Sequence, residues 1–260
     1  MSDLVSVVCI SDTHNSQPEL PNGDILIHAG DLTQSGSRAE IQTALDWLQS
    51  QPHQHKIVIA GNHDLLLDSQ CDEIGHRIRS GPSAERPLLQ WGDLIYLQDS
   101  SIALALANGR QLKIYGSPRS PKHGSWAFQY PGQDDVWKGM IPDDVDILVT
   151  HAPPMGHLDM FGIGCSHLLR SLWSIRPKLH VFGHVHAGYG HEFLRYDPLQ
   201  AAFEQTVKAK GGLWNLVRVM RGLLWTMLGA QVEPQTQLIN ASMVGGLWDE
   251  VLRTPITVYV

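Results

Sequence analysis

The sequence predicts an α/β fold, a sandwich of helices layered over sheet, built as one domain over residues 1–260. Three observations lead there. Short apolar runs recur along the chain, each stopped by a turn signal. Most of these runs are continuous rather than alternating, which marks strands buried on both faces. Helical stretches separate several of them, as crossovers between parallel strands require.

In chain order, the strand candidates are "LVSVVCI" (4–10), "DILIHA" (24–29), "KIVIAG" (56–61), "QLKIYG" (111–116), "VDILVT" (145–150) and "KLHVFG" (178–183). Helical patterns occupy 38–51 and 166–175, the second closed by Pro177. From about 196 to 235 no strand signal appears. Within that segment "WNLVRVMRGLLWTMLGA" (214–230) is strongly apolar but carries Arg218 and Arg221. It is too short and too charged to span a bilayer, which takes about 20 apolar residues. It fits a helix packed on the protein's own body, a surface for a partner protein, or a helix lying at a membrane surface. Strand-like "TQLINAS" (236–242) and "PITVYV" (255–260) then resume the sheet. No repeat, low-complexity tract or charged linker interrupts the pattern.

Composition narrows the function classes. A chain of 260 residues with 43% apolar and 17% charged residues builds an ample core. Its formal net charge of -7 argues against a nucleic-acid polymer as partner, because such binders present a basic face. Cys9, Cys71 and Cys165 are odd in number and widely spaced, so neither a disulfide framework nor a Cys-rich zinc site is indicated. The first residues lack a basic n-region followed by an apolar core, and a reducing, cytoplasmic setting is expected. Fourteen histidines are many for this length, and their positions matter.

Asp12, Thr13 and His14 follow the first strand, and Gly30 and Asp31 the second. Asn62, His63 and Asp64 follow the third; His151 follows the fifth, and His184 and His186 the sixth. Singly, each has an ordinary explanation: an Asp after a strand caps a helix, an Asn holds a left-handed turn, and a His sits satisfied in a loop. Jointly, five strand ends loaded with metal-capable side chains are hard to assign to capping, and ligands of α/β sheets bind at the carboxyl ends of strands. Oxygen and imidazole donors without thiolate suit Mn, Fe, Zn or Mg. A bridging carboxylate among them would hold two ions roughly 3.5–4 Å apart, the spacing of two-metal phosphate chemistry.

The blocks "DTH", "GDLT", "GNHD", "THAPP" and "GHVH" resemble, in order and strand context, the signature of the calcineurin-like metallophosphoesterases. The stretches "GSPRSPKHGSWAF" (116–128), "VDILVTHAPPMGHLD" (145–159) and "GCSHLLRSLWSIRPKLHVFGHVHAGYG" (164–190) are similar to the small metallophosphoesterase-domain subfamily, some of whose members hydrolyse cyclic nucleotides. The resemblance covers roughly 4–197 and 236–260. It implies a β-sandwich flanked by helices (αββα), with 196–235 a helical insertion in its C-terminal part. It also implies two divalent ions, Mn favoured. Asp12, His14, Asp31 and His186 would hold one; Asp31, Asn62, His151 and His184 would hold the other, with Asp31 bridging.

Under the same resemblance His63 faces the phosphate and Asp64 orients His63, the two forming the catalytic pair. Asn62, His63, Arg119 and Trp126 are the expected substrate contacts. The implied reaction is hydrolysis of a phosphodiester, a nucleotide or cyclic nucleotide, by a metal-bridging hydroxide. The alternatives are a phosphomonoesterase or pyrophosphatase acting on a small metabolite, and a non-catalytic metal-binding scaffold. Residues 196–235 are the expected contact for any protein or membrane partner. The remaining histidines (28, 53, 55, 76, 123, 157, 167, 180 and 191) are expected to be structural, although His123 shares the loop of Trp126.

Overall fold

The computed structural model describes residues 4–70, 89–106, 109–160, 162–227, 234–246 and 249–260. Cys71, His76 and the end of the apolar helical stretch, 228–230, lie outside these residues.

The strands are β1 (Ser6–Ile10), β2 (Ile25–Ala29), β3 (His55–Ile59), β4 (Ile95–Tyr96), β5 (Ser100–Ala105), β6 (Gln111–Ser117), β7 (Ser120–Pro121), β8 (Gln129–Tyr130), β9 (Ile147–Thr150), β10 (Leu179–Phe182), β11 (Gly190–Arg195), β12 (Gln235–Asn240), β13 (Val244–Gly245), β14 (Val251–Leu252) and β15 (Ile256–Tyr259). The α-helices are α1 (Arg38–Gln49), α2 (Ser166–Ile175), α3 (Pro198–Lys208) and α4 (Leu213–Met227). One sheet runs β15-β1-β2-β3-β4, with β15 antiparallel to β1 and the other neighbours parallel. The second runs β11-β12-β10-β9-β6-β5, parallel at its centre, with antiparallel strands at both edges.

Alternation along the central strands builds three apolar layers. Val7, Cys9, Ile27 and Ile59 of the first sheet pack against Ile114, Val149 and Val181 of the second. On the outer face of the first sheet, Val8, Ile10, Leu26 and Val58 receive Ile41, Leu45 and Leu48 of α1. On the outer face of the second, Leu148, Phe182 and Leu238 receive Leu168, Leu169 and Leu172 of α2. Each fully buried aliphatic side chain stabilises this packing by about 1.5–3 kcal/mol. The product is helix, sheet, sheet, helix: the αββα sandwich.

Local chemistry fixes the helix ends. Ser37 and Glu40 form a reciprocal capping box at the start of α1. Cys165 caps α2, its Sγ accepting from the Leu168 N–H, so this cysteine is structural. Arg176 takes a left-handed conformation ahead of Pro177 and ends the helix.

The segment after β11 forms the helical hairpin α3–α4. Asp197 caps α3, with Pro198 in its first turn. Glu204 on α3 is buried and accepts from the Trp173 indole at 2.7 Å; its carboxylate also lies 3.2 Å from the His157 ring. Helix α4 rests on α3 at Gly222, where a Cβ would fall 2.7 Å from the Leu199 Cα.

Candidate metal centre

Because β1, β2 and β3 belong to one sheet and β9 and β10 to the other, both sheets deliver polar side chains to one rim of the sandwich. Backbone hydrogen bonds stitch that rim. Asp12 N–H donates to Gly30 O at 2.8 Å and His14 N–H to Asp31 O at 3.2 Å, tying the first two loops together. Gly183 N–H donates to His151 O at 3.0 Å, and Met243 N–H to Ser11 O at 2.7 Å, which joins the second sheet to the first.

The turns are tight enough to strain the chain. Asp12 (φ 51°), His14 (φ 43°), Asp31 (φ 53°) and His184 (φ 66°) all sit in the left-handed region. Such residues cost of order 1–3 kcal/mol each and persist where the surrounding structure over-determines them. Two glycines make room for the carboxylates. A Cβ on Gly61 would fall 2.2 Å from Asp31 Oδ1, and one on Gly183 would fall 2.0 Å from Asp12 Oδ2. The glycines that open "GNHD" and "GHVH" are therefore packing requirements of the site.

Two clusters of donor atoms result. Asp12, His14 and His186 converge within 4.8 Å of one another, as do Asp31, His151 and His184. In the first, His186 Nε2 lies 3.4 Å from Asp12 Oδ1 and 3.3 Å from His14 Nε2. In the second, His151 Nε2 lies 3.3 Å from Asp31 Oδ2 and 2.9 Å from Asn62 Oδ1. Two ligand atoms about 2.1 Å from one ion, subtending about 100°, lie about 3.2 Å apart, so these spacings suit a shared cation. Asp31 stands between the clusters. Its Oδ1 accepts from the His63 N–H at 2.7 Å, while Oδ2 is 3.9 Å from His14 Nε2 and 3.3 Å from His151 Nε2.

Proton placement favours cations too. His151 Nδ1 faces the Ala29 carbonyl at 3.0 Å, which can only accept, so Nδ1 carries a hydrogen and Nε2 is the nitrogen that takes up a second proton or a metal ion. Around Nε2 stand the oxygens of Asn62 and Asp31, an arrangement that calls for a cation between them. Burial opposes charge on Asp12 and Asp31, yet the surrounding histidines hold both below the usual carboxylate range. Burial also works against protonation of His151 and His186, but the carboxylates beside them overcome it and raise both to about 9. Burial dominates at His14, which is lowered, and at His184, held down at about 4, leaving neutral imidazole donors. The carboxylates thus attract positive charge, and protons and divalent ions compete for them.

The remaining expected site residues divide. His63 is brought in: it joins His14 and Asp31 in a third cluster, and its Nδ1 bonds the Gln34 carbonyl at 2.8 Å. Trp126 stacks on the His63 ring, with centroids 4.2 Å apart and planes at 23°. Asp64 departs from expectation. It does not bond the His63 ring; its buried carboxylate accepts from the backbone N–H groups of Gly61, Leu32 and Thr33 and from Thr33 Oγ1. It therefore fixes the loops that carry Asp31 and Asn62. Arg119 departs as well, because its guanidinium pairs with Asp99 at 2.9 Å.

Several contacts here were not anticipated. Asp249 Oδ1 lies 2.7 Å from His186 Nδ1, a carboxylate behind a candidate ligand. Ser242 Oγ donates to Asp12 Oδ2 at 2.9 Å, and the His184 N–H also donates to Asp12. Arg253 binds the His186 carbonyl and lies over the Tyr189 ring. Ser242 follows β12 and obeys the strand-end rule that exposed the other ligands. Asp249 and Arg253 lie in loops, with no such signal.

Comparison with known proteins gives the same picture. A family model described as calcineurin-like phosphoesterase matches residues 5–188. Metallophosphoesterase domain-containing protein 1 of Homo sapiens is 42% identical over 205 residues, covering 70% of this chain and 61% of that protein. The UPF0046 protein K07C11.7 of Caenorhabditis elegans is 36% identical over 195 residues, covering 72% and 65%. A protein named probable rhamnogalacturonate lyase C, of Emericella nidulans, is 47% identical over 264 residues, covering 98% of this chain and 24% of that protein. At 98% coverage this last match takes in the helical hairpin. The chain spans less than two thirds of the length of each of these relatives.

Proposed function

The chain belongs to the calcineurin-like phosphoesterase family, and from that premise we propose that it is a two-metal phosphoesterase whose substrate is a phosphodiester, a nucleotide or cyclic nucleotide being the favoured class. The observation that carries the two-metal reading is the position of Asp31 Oδ2 between His14 Nε2 and His151 Nε2. Two divalent cations, one held by Asp12, His14, Asp31 and His186 and one by Asp31, Asn62, His151 and His184, would polarise phosphoryl oxygens and acidify an attacking water. Manganese is the favoured ion.

His63 supplies the proton traffic. Its Nδ1 donates to the Gln34 carbonyl in either charge state, so Nε2 is the atom that gains or loses a proton. Protonated there, it donates to the developing charge on phosphorus or to the leaving oxygen. The His63 N–H, bonded to Asp31 Oδ1, links that loop to the bridging carboxylate. Asp64 positions the same loop and Trp126 covers the outer face of the imidazole.

Two features support a diester over a monoester. A monoester dianion calls for several free cations, whereas in the Trp126 loop Arg119 is paired with Asp99 and Lys122 is the one other Lys or Arg. Trp126 offers an apolar wall suited to an organic substituent on phosphorus.

The test is kcat/KM of the metal-reconstituted protein on cyclic nucleotides, generic diesters, monoesters and pyrophosphates. Monoester turnover well above that of every diester overturns the substrate class. Two bound ions without turnover of any ester overturns the enzyme reading and leaves a metal-binding scaffold.

A further inference from the structure

Helix α4 presents a wide apolar face outward. The positions turned toward α3 form one stripe through Asn215, Val219 and Gly222, and Gly222 is the buried residue of the helix. On the opposite side Leu213, Val217, Met220, Leu224 and Met227 recur at three- and four-residue spacing, and they are 40% to 77% exposed among the described residues. A continuous apolar stripe of this kind calls for a covering partner.

Charge on the flank selects that partner. Although the chain as a whole carries -7, residues 205–227 contain Lys208, Lys210, Arg218 and Arg221 and no Asp or Glu. Arg218 and Arg221 are exposed beside the apolar stripe, on the flank that also carries Trp214 and Trp225. Arg218 bonds the Asn215 amide, a neutral group. An apolar stripe bordered by arginine and tryptophan, without acids, matches a bilayer surface: apolar groups enter the acyl boundary and cations meet anionic headgroups. A second copy of the chain fits less well, since α4 packed on its own equivalent brings arginines together without a carboxylate between them. The helix has 15 residues, and at about 1.5 Å each it is about 22 Å long, short of the hydrocarbon core. Among the described residues no helix is long and apolar enough to cross a membrane.

We propose that the outer face of α4 docks the protein flat on membranes rich in anionic lipid. The anchor bears on the metal centre through α3. Glu204 of α3 meets His157, in the loop that follows candidate ligand His151, and Gly188, two residues after His186, packs on the Leu158 carbonyl of that loop. The same loop exposes Met160 and Ile163.

Co-sedimentation of the full chain with vesicles of phosphatidylcholine alone, or with about 30% phosphatidylserine, tests this. We expect at least about tenfold stronger partition to the anionic vesicles, weakened as salt rises from about 0.1 M to about 1 M. Tryptophan emission should shift to the blue on binding, a shift that Trp214→Phe reduces. Arg218→Glu with Arg221→Glu should abolish the anionic preference, and Met220→Ser with Leu224→Ser should abolish binding to both vesicles, each variant keeping the wild-type circular dichroism. No binding, equal binding to both vesicle types, or binding unchanged in the folded variants overturns the proposal. A concentration-dependent dimer that Leu224→Ser dissociates, without vesicle binding, assigns the face to a second copy instead.

Discussion

The ring of Trp126 stacks on that of His63, centroids 4.2 Å apart and planes at 23°. With the Gln34 carbonyl holding Nδ1, the imidazole is fixed by an edge and by a face, and its Nε2 has one direction left to point. Trp126→Ala should lower kcat/KM about three- to tenfold, the value of an aromatic pair, with bound metal unchanged. Trp126→Phe should restore most of it. Equal losses in both variants would show that the stack itself contributes nothing.

His63→Ala should keep both ions and lose about 10²–10⁴ in turnover on esters with poor leaving groups. An acidic leaving group such as nitrophenolate departs without a proton and would hide the loss. Unchanged rates with an alkoxide leaving group would remove His63 from the proton path.

Asp31→Ala should lose bound metal and activity together, since one carboxylate oxygen faces both histidine clusters. Elemental analysis of the purified variant decides. Two ions retained per chain would contradict the bridging role.

Asp249→Asn separates the two metal positions. The carboxylate behind His186 Nδ1 orients that ring and strengthens Nε2 as a donor, an effect worth about 10–100-fold in metal affinity. Titration against a chelator should show the weakening at one of two ions. Equal weakening at both, or none, would make Asp249 a surface residue.

Legibility of these features followed their physics. Strands β1, β2, β3, β9 and β10 are buried almost end to end and read as continuous apolar runs, and their polar termini marked the candidate ligands. Strands β5 and β11 are less legible: as edges they are largely exposed, the short apolar run at the end of β5 also fits a helix, and β11 mixes polar with apolar residues. Helices α1 and α2 were found because each keeps one apolar stripe and a defined end. The partners of Asp64 are hidden for another reason. That residue neighbours His63 in sequence, but the turn after β3 sends its carboxylate back into the loops, where four donors wait. Arg119 resembled a phosphate contact until the fold placed Asp99 beside it. Sequence spacing does not reveal a partner that only tertiary folding supplies.

A final prediction concerns stability and lies away from the metals. His157 is buried between two carboxylates, with Nδ1 2.6 Å from Glu192 and Nε2 3.2 Å from Glu204. Burial alone would depress it, but the two glutamates overcome burial and raise it from 6.5 to about 9. The nearby His180 is held neutral by burial, down to about 3, and bonds Thr150. A histidine whose folded pKa is raised favours the folded state in its protonated form. Its contribution is therefore complete below pH 6.5 and disappears as pH rises through about 9. The size is on the order of 3 kcal/mol. Urea unfolding of wild type and His157→Gln, compared at about pH 6 and about pH 9.5, isolates this group because other titrations cancel in the difference. The wild-type advantage should be large at the lower pH and mostly gone at the higher. Because Glu204 lies on α3, the same loss should loosen the α3–α4 hairpin first, seen as lower amide protection there at high pH relative to the intrinsic exchange rate. An advantage independent of pH would mean that His157 sits neutral in the folded protein and would overturn the ion-pair assignment.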